Sequence, residues 1–231
     1  MKTCPPPSFK HGTPQLSAGL AALMLSLGSF MPAAAQTRYN SQPLGTSVKV
    51  DGTSTAHDWE MEGKSIGGYI EFGPGVKLDA AQTNIPGFND GKVPVTVQAH
   101  IPVTSVHAKV EHMPDVMDHL MQEHLKADQF SQIQYHLTGM TFKGPHAPGK
   151  TFAFDTTGDL AIAGVTNKVS FPVTIEVLDA GKIKVNATVP LKMTAFHVDP
   201  PAPNIGLGLM RCGDDIKVII DWTLKERNQG R

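Results

Sequence analysis

Gly158-Asp-Leu-Ala-Ile-Ala-Gly-Val-Thr-Asn-Lys-Val-Ser-Phe-Pro-Val-Thr-Ile-Glu-Val177 is the stretch whose reading decides the fold. Leu160 and Ile162 alternate with Asp159 and Ala161, and Val169, Phe171, Val173, Ile175 and Val177 alternate with Ser170, Pro172, Thr174 and Glu176. A period of two is that of a strand with one face buried, because successive side chains point to opposite faces. Gly164 accepts a positive φ and Asn167 tolerates the left-handed region, so Gly164 to Lys168 is expected to be a turn of about five residues. Pro172 has no N–H for a ladder, which assigns it to an edge, a bulge or a barrel corner. The stretch is therefore an antiparallel hairpin whose apolar face includes Leu160, Ile162, Phe171 and Val173.

The same alternation recurs on both sides of it. Strands are expected at Val48 to Ser54, Ser65 to Phe72, Val93 to Val103, Gln132 to Phe142, Phe152 to Ile162, Val169 to Leu178, Lys182 to Lys192 and Ile216 to Leu224. Gln36 to Thr46 carries no such pattern and reads as a loose leader into the first of them. Ile70, Phe72, Val95, Val97, Ile101 and Tyr135 fall on the inward faces, with His100 and its alternate neighbours outward. Eight consecutive strands with one apolar face each make the protein mainly β, an eight-stranded antiparallel barrel. Such a barrel has room for its own side chains or for one slender ligand.

Between the third and fourth strands the period changes. In Pro114 to Ala127, Val116, Met117, Leu120, Met121 and Leu125 recur at helical spacing, and Pro114 suits a first helical position. His124 falls in the middle of this stripe, where it reads either as a neutral rim histidine or as a contact to a ligand. Met side chains pack irregular apolar shapes well, so the helix suits a lid. Trp59, with an indole N–H that needs a partner, is expected to plug a barrel end, and Phe196 belongs to the same region. His57 and Asp58, adjacent on a strand, point to opposite faces and make a poor catalytic pair.

Residues 1–35 have the make-up of a secretory leader: Lys2 and Lys10 without acidic residues, a mostly apolar run from Leu16 to Met31, and Ala33-Ala34-Ala35 at a cleavage position. Cleavage there leaves residues 36–231 as one exported domain with Cys212 as its single cysteine. No internal disulfide is then available, and the domain has to be held by its core. Eighteen basic and 21 acidic residues remain, without a basic block, which argues against nucleic acid as a partner. Nucleophile elbows, paired metal-binding cysteines, His-Glu-x-x-His helices and phosphate loops are all missing from the sequence, so no enzyme and no cofactor is expected. Nine histidines remain, and His112 with His119 near Asp115 and Glu123 form a weak alternative, a surface metal site against the reading of a solvated helix face. Cys212 beside Arg211 is either a thiol of lowered pKa or a small buried hydrophobe.

The Gly-x-Leu-x-Ile-x-Gly-Val-Thr-x-x-Val-x-Phe-Pro-Val pattern of the hairpin resembles the YceI-like family of periplasmic proteins. The run Ser54-Thr-Ala-His-Asp-Trp59, the helix through Phe130, Leu191 to Pro201 and Gly213 to Val218 are similar to the corresponding regions of that family. The resemblance implies a lipocalin-like barrel in the periplasm that binds a polyisoprenoid or other apolar lipid, with transient membrane contact. Two positions depart from the pattern. Ser131 stands where the family often has proline, and Phe196-His197 where it has Phe-Gly, so that the His197 imidazole is expected to narrow the entrance or touch a head group.

Overall fold

The computed structural model describes residues 1–3, 36–79, 91–110, 113–143, 151–202 and 210–227. Apart from residues 1–3, the expected leader lies outside the described residues, and so do His112 and most of the two turn-rich segments, 80–90 and 144–150. Every element belongs to the unit Ala33–Arg231. Its strands are β1 (Thr37–Ser41), β2 (Ser47–Ser54), β3 (Trp59–Gly63), β4 (Gly67–Phe72), β5 (Val95–Pro102), β6 (Val106–Ala108), β7 (Gln132–Phe142), β8 (Thr151–Ile162), β9 (Val165–Leu178), β10 (Lys182–Lys192) and β11 (Cys212–Glu226). One α-helix, α1 (Pro114–His124), stands among the described residues, shorter at its end than the sequence pattern suggested.

The strands close into an antiparallel ring, β1-β4-β5-β7-β8-β9-β10-β11, through the pairing of β11 back onto β1. Eight staves result because three of them are interrupted: β2 continues β1 along β11, β3 lies on β2, and β6 lies on β3. The eight-stranded barrel expected from alternation is thus present, with more breaks than alternation shows.

The opening hairpin is tighter than its glycine and asparagine suggested. Ala163 and Gly164 both have positive φ, 50° and 82°, which makes a two-residue turn of the primed kind that suits strand twist. Val165 to Lys168 therefore join the ladder, Ile162 facing Val165 and Asp159 facing Lys168. Asn167, expected in the turn, instead donates its side-chain N–H to the Ala195 carbonyl at 2.6 Å. Pro172 lies where β9 parts from β10, whose shared ladder begins at Val173 facing Ala187, as a residue without an N–H requires.

Gln36 to Thr46 is not a loose leader. Tyr39 in β1 pairs with both Ile70 and Glu226 and is 7% exposed, so this short strand closes the barrel. Trp59 opens β3 rather than ending β2; its ring lies across Gly52, and its indole donates to the Thr53 carbonyl at 3.0 Å. The expected partner for the N–H exists, reached from the opposite side of the turn.

Candidate functional site

The two ends of the barrel are filled differently. At one end Phe72, Phe152, Phe154, Ile183 and Leu224 are 0–1% exposed. Tyr39 meets Phe72 edge-on with ring centroids 6.1 Å apart, and Phe142 meets Phe154 at 5.6 Å. This aromatic plug leaves no room for a guest. Burial in it and the nearby Glu226 carboxylate push the Tyr39 phenol up to about 12.

Towards α1 the barrel is hollow, with a cavity of about 260 Å³. Lining residues on β11 run from Cys212 to Trp222. A bulge between Cys212 and Ile216 takes up two residues, so the run advances by about eight residues of regular strand, about 27 Å, and a tilt of roughly 40° to the barrel axis turns that into a depth of roughly 20 Å. For comparison, the hydrocarbon core of a bilayer is about 30 Å thick. The floor is set by Ile175, Met140 and Trp222, whose indole donates to Ser41 Oγ at 2.9 Å.

Fourteen of the sixteen residues expected from the sequence to meet a lipid line this cavity: Trp59, Ile70, Val97, Ile101, Met117, Leu120, Met121, His124, Tyr135, Leu160, Ile162, Phe171, Val173 and Phe196. Phe72 and Val95 do not. They face each other in the β4–β5 ladder and are packed into the aromatic plug, on the expected face but at the filled level. Met61, Val185, Val218 and Trp222 line the cavity as well. For the last three the sequence signal was the alternation of β10 and β11; Met61, between Glu60 and Glu62, had only a single alternation to reveal it.

Helix α1 roofs the hollow end with Met117, Leu120 and Met121, joined by Leu125 just past its last residue, while Val116, expected on the same stripe, is 49% exposed. The helix is clasped to β6 by Asp118, which accepts hydrogen bonds from the Ala108 N–H at 2.6 Å and from His107 Nδ1 at 2.7 Å. No residue of α1 is fully buried, so the roof is held by its edge and by this clasp. On the facing side a short 3-10 turn, Met193–Phe196, brings Phe196 over the opening. His197 caps that turn with φ 53° and is exposed, outside the cavity lining. The imidazole therefore does not narrow the cavity. A left-handed residue here is what glycine supplies most easily, which explains why Phe-Gly suits this place.

Charge at the mouth is compensated. Lys192 pairs with Asp215 at 2.7 Å and with Asp214 at 3.8 Å. Asp214 also accepts hydrogen bonds from the Thr194 N–H and hydroxyl, both 2.8 Å, which hold its carboxyl below the usual carboxylate range. Cys212 lines the cavity, and burial pushes its thiol up, so Arg211 does not activate it. His57 Nδ1 contacts the main-chain carbonyl of Asp58 at 2.7 Å rather than its carboxylate. His119 is exposed on α1, and among the described residues no three His, Cys, Asp or Glu side chains gather closely enough to hold a metal ion.

A family model for the YceI-like domain matches residues 32–224. The chain belongs to the YceI-like family. No curated protein is recognisably similar to it. Among solved structures, BcnA of Burkholderia cenocepacia is 16% identical, with a TM-score of 0.54, and the match covers 79% of this chain and 98% of that one. A polyisoprenoid-binding domain from Saccharophagus degradans, implicated in plant cell wall breakdown, is 12% identical with a TM-score of 0.55, covering 84% of this chain and 99% of that one. At such identities the likeness is one of fold, and the YceI-like barrel of this chain is read from its own residues.

Proposed function

We propose that this YceI-like chain is an exported, non-enzymatic carrier that holds a long isoprenoid or similar apolar lipid in its barrel. The observation that carries the reading is the hollow half, an apolar space roughly 20 Å deep, above a plug that seals the other half. The domain from S. degradans that shares the fold is described as polyisoprenoid-binding, and a lining of Val, Ile, Leu, Phe and Met suits the same class of guest. The leader-like residues 1–35 support export to the periplasm.

Energetics favours exchange with a membrane over capture from water. At about 0.8 kcal/mol per buried CH₂, a tail of roughly 30 carbons taken from water would exceed the ceiling of about 18 to 21 kcal/mol for any non-covalent complex. A free lipid of that kind resides in a bilayer, and loading moves it between two apolar environments. Exposed Met113, Val116 and Phe130, which flank or belong to the helical roof, support transient contact with the bilayer during transfer.

Mass spectrometry of an organic extract tests the reading, using protein purified without detergent from the exported fraction of its own host. A stoichiometric isoprenoid is the expected result. An extract empty of lipid, together with failure to take up isoprenoid from vesicles, would overturn it.

A further inference from the structure

The roof closes the cavity unequally at its two ends. Where α1 finishes, Leu125 packs against a cluster of Phe196, Val198 and Ile162, which are 3–9% exposed. The 3-10 turn that carries Phe196 is pinned there by Asn167 at the Ala195 carbonyl and by Asp214 at Thr194. Where α1 begins, an open groove on the outer surface comes up against the cavity. Trp59, Met117 and Ile216 line both spaces, so these three side chains form the partition between them.

The surroundings of the partition are the least regular part of the wall. Beside Ile216 the β2–β11 ladder is out of register, with Gly213 to Asp215 opposite Thr53 alone. Met117 stands near the start of a helix that has no side-chain N-cap and is entered through Met113 at a left-handed φ of 56°. Trp59 is half-buried. Its ring rests on Gly52, where a Cβ would overlap Cζ2, Cε2 and Cη2, and its indole N–H donates to the Thr53 carbonyl at 3.0 Å. Lifting the ring breaks that one hydrogen bond and needs only side-chain rotation, without unzipping a strand.

The groove suits an amphiphile in transit. Exposed Met113 and Val116 line it next to Met117, which gives an apolar path from the surface to the cavity. Other parts of its lining are polar, with Lys217 paired to Asp51 at 2.8 Å, so a head group keeps polar company while the tail moves inward. Resting on the carrier reading, we infer that the guest enters and leaves sideways, through this groove at the start of α1, and that the Trp59 indole is the gate.

The test uses the full-length mature protein, stripped of lipid, and phosphatidylcholine vesicles containing a radiolabelled long-chain prenyl alcohol. Loading from these vesicles and unloading into empty ones are timed for wild type, Trp59→Phe and Gly52→Ala. Trp59→Phe keeps an aromatic ring and loses the N–H, which is worth about three- to tenfold in the rate of opening. Gly52→Ala keeps the indole and removes its seat, with the same expected direction. Loading and unloading are both expected to quicken, as a lowered barrier requires; loss of a contact to the guest would quicken unloading alone. A bulky polar maleimide on Val116→Cys, in a Cys212→Ala background, is expected to slow both directions by filling the groove. Loading no faster in Trp59→Phe than in wild type, or undiminished exchange in the labelled protein, would overturn the gate and leave the carrier intact. Failure of wild type to load at all would overturn the carrier reading and this inference together.

Discussion

Replacing Ala187 by phenylalanine separates a hollow barrel from a filled one. Ala187 sits on β10 between Val173 and Ile220, is 9% exposed, and lines the cavity. A phenyl ring directed into the void would remove roughly 100 Å² more apolar surface from water, worth about 2.5 kcal/mol. Loss of side-chain freedom offsets up to about 1 kcal/mol of that. The lipid-free variant is therefore expected to be more stable than wild type by about 1–2 kcal/mol. In a barrel already full, the same change would overpack the core and destabilise it by about 1–3 kcal/mol. Urea denaturation of delipidated protein reads the sign directly, and delipidation matters because a bound lipid would stabilise wild type by mass action. Since the ring occupies the guest's space, co-purified lipid should fall at least about tenfold, a loss of about 1.4 kcal/mol or more. A destabilised variant that still carries its full lipid load would refute the argument.

The plug and the roof should respond oppositely to truncation. Phe154→Ala is expected to cost about 3–5 kcal/mol, whereas Leu120→Ala, on a helix with no fully buried residue, should cost under about 1 kcal/mol while loosening lipid retention; paired denaturation and lipid-release measurements check both. His197→Gly relieves the left-handed backbone and is expected to stabilise the barrel by about 0.5 kcal/mol, the strain of roughly 1–2 kcal/mol being offset by the flexibility glycine adds to the unfolded chain; denaturation midpoints decide it. Tyr39 predicts alkaline sensitivity. Its folded pKa of about 12 lies above the unfolded value near 10, so the native state holds its proton more tightly. That stabilisation is complete below pH 10 and is lost as pH rises to 12, by about 2–3 kcal/mol. Stability measured between pH 9 and 12 should fall less steeply in Tyr39→Phe, and parallel curves would show that another group is responsible.

Much of the architecture was legible because strand alternation is local. The hairpin around Gly164, the helix, and the inward faces of β7 to β11 all appear as periods of two or 3.6 in consecutive residues. β1 was illegible for the opposite reason. Thr37–Ser41 contains a single buried residue, Tyr39, and its strand character comes from pairing with Ile70 and Glu226 at distant points of the chain. His197 shows the same limit on a smaller scale: its bulk suggested an obstruction, but the φ of 53° turns the imidazole to solvent.

By itself, the sequence determined which face of each strand is apolar, and hence a barrel with a greasy interior. Only the tertiary structure decided which part of that interior is empty. Phe72 and Tyr135 carry equivalent alternation signals, yet Phe72 meets Tyr39 in a sealed layer while Tyr135 stands over Gly158 beside open space. The face of a residue follows from its immediate neighbours. Its level in the barrel, and whether that level is filled, follow from the register of eight strands and the size of the side chains that arrive from the others.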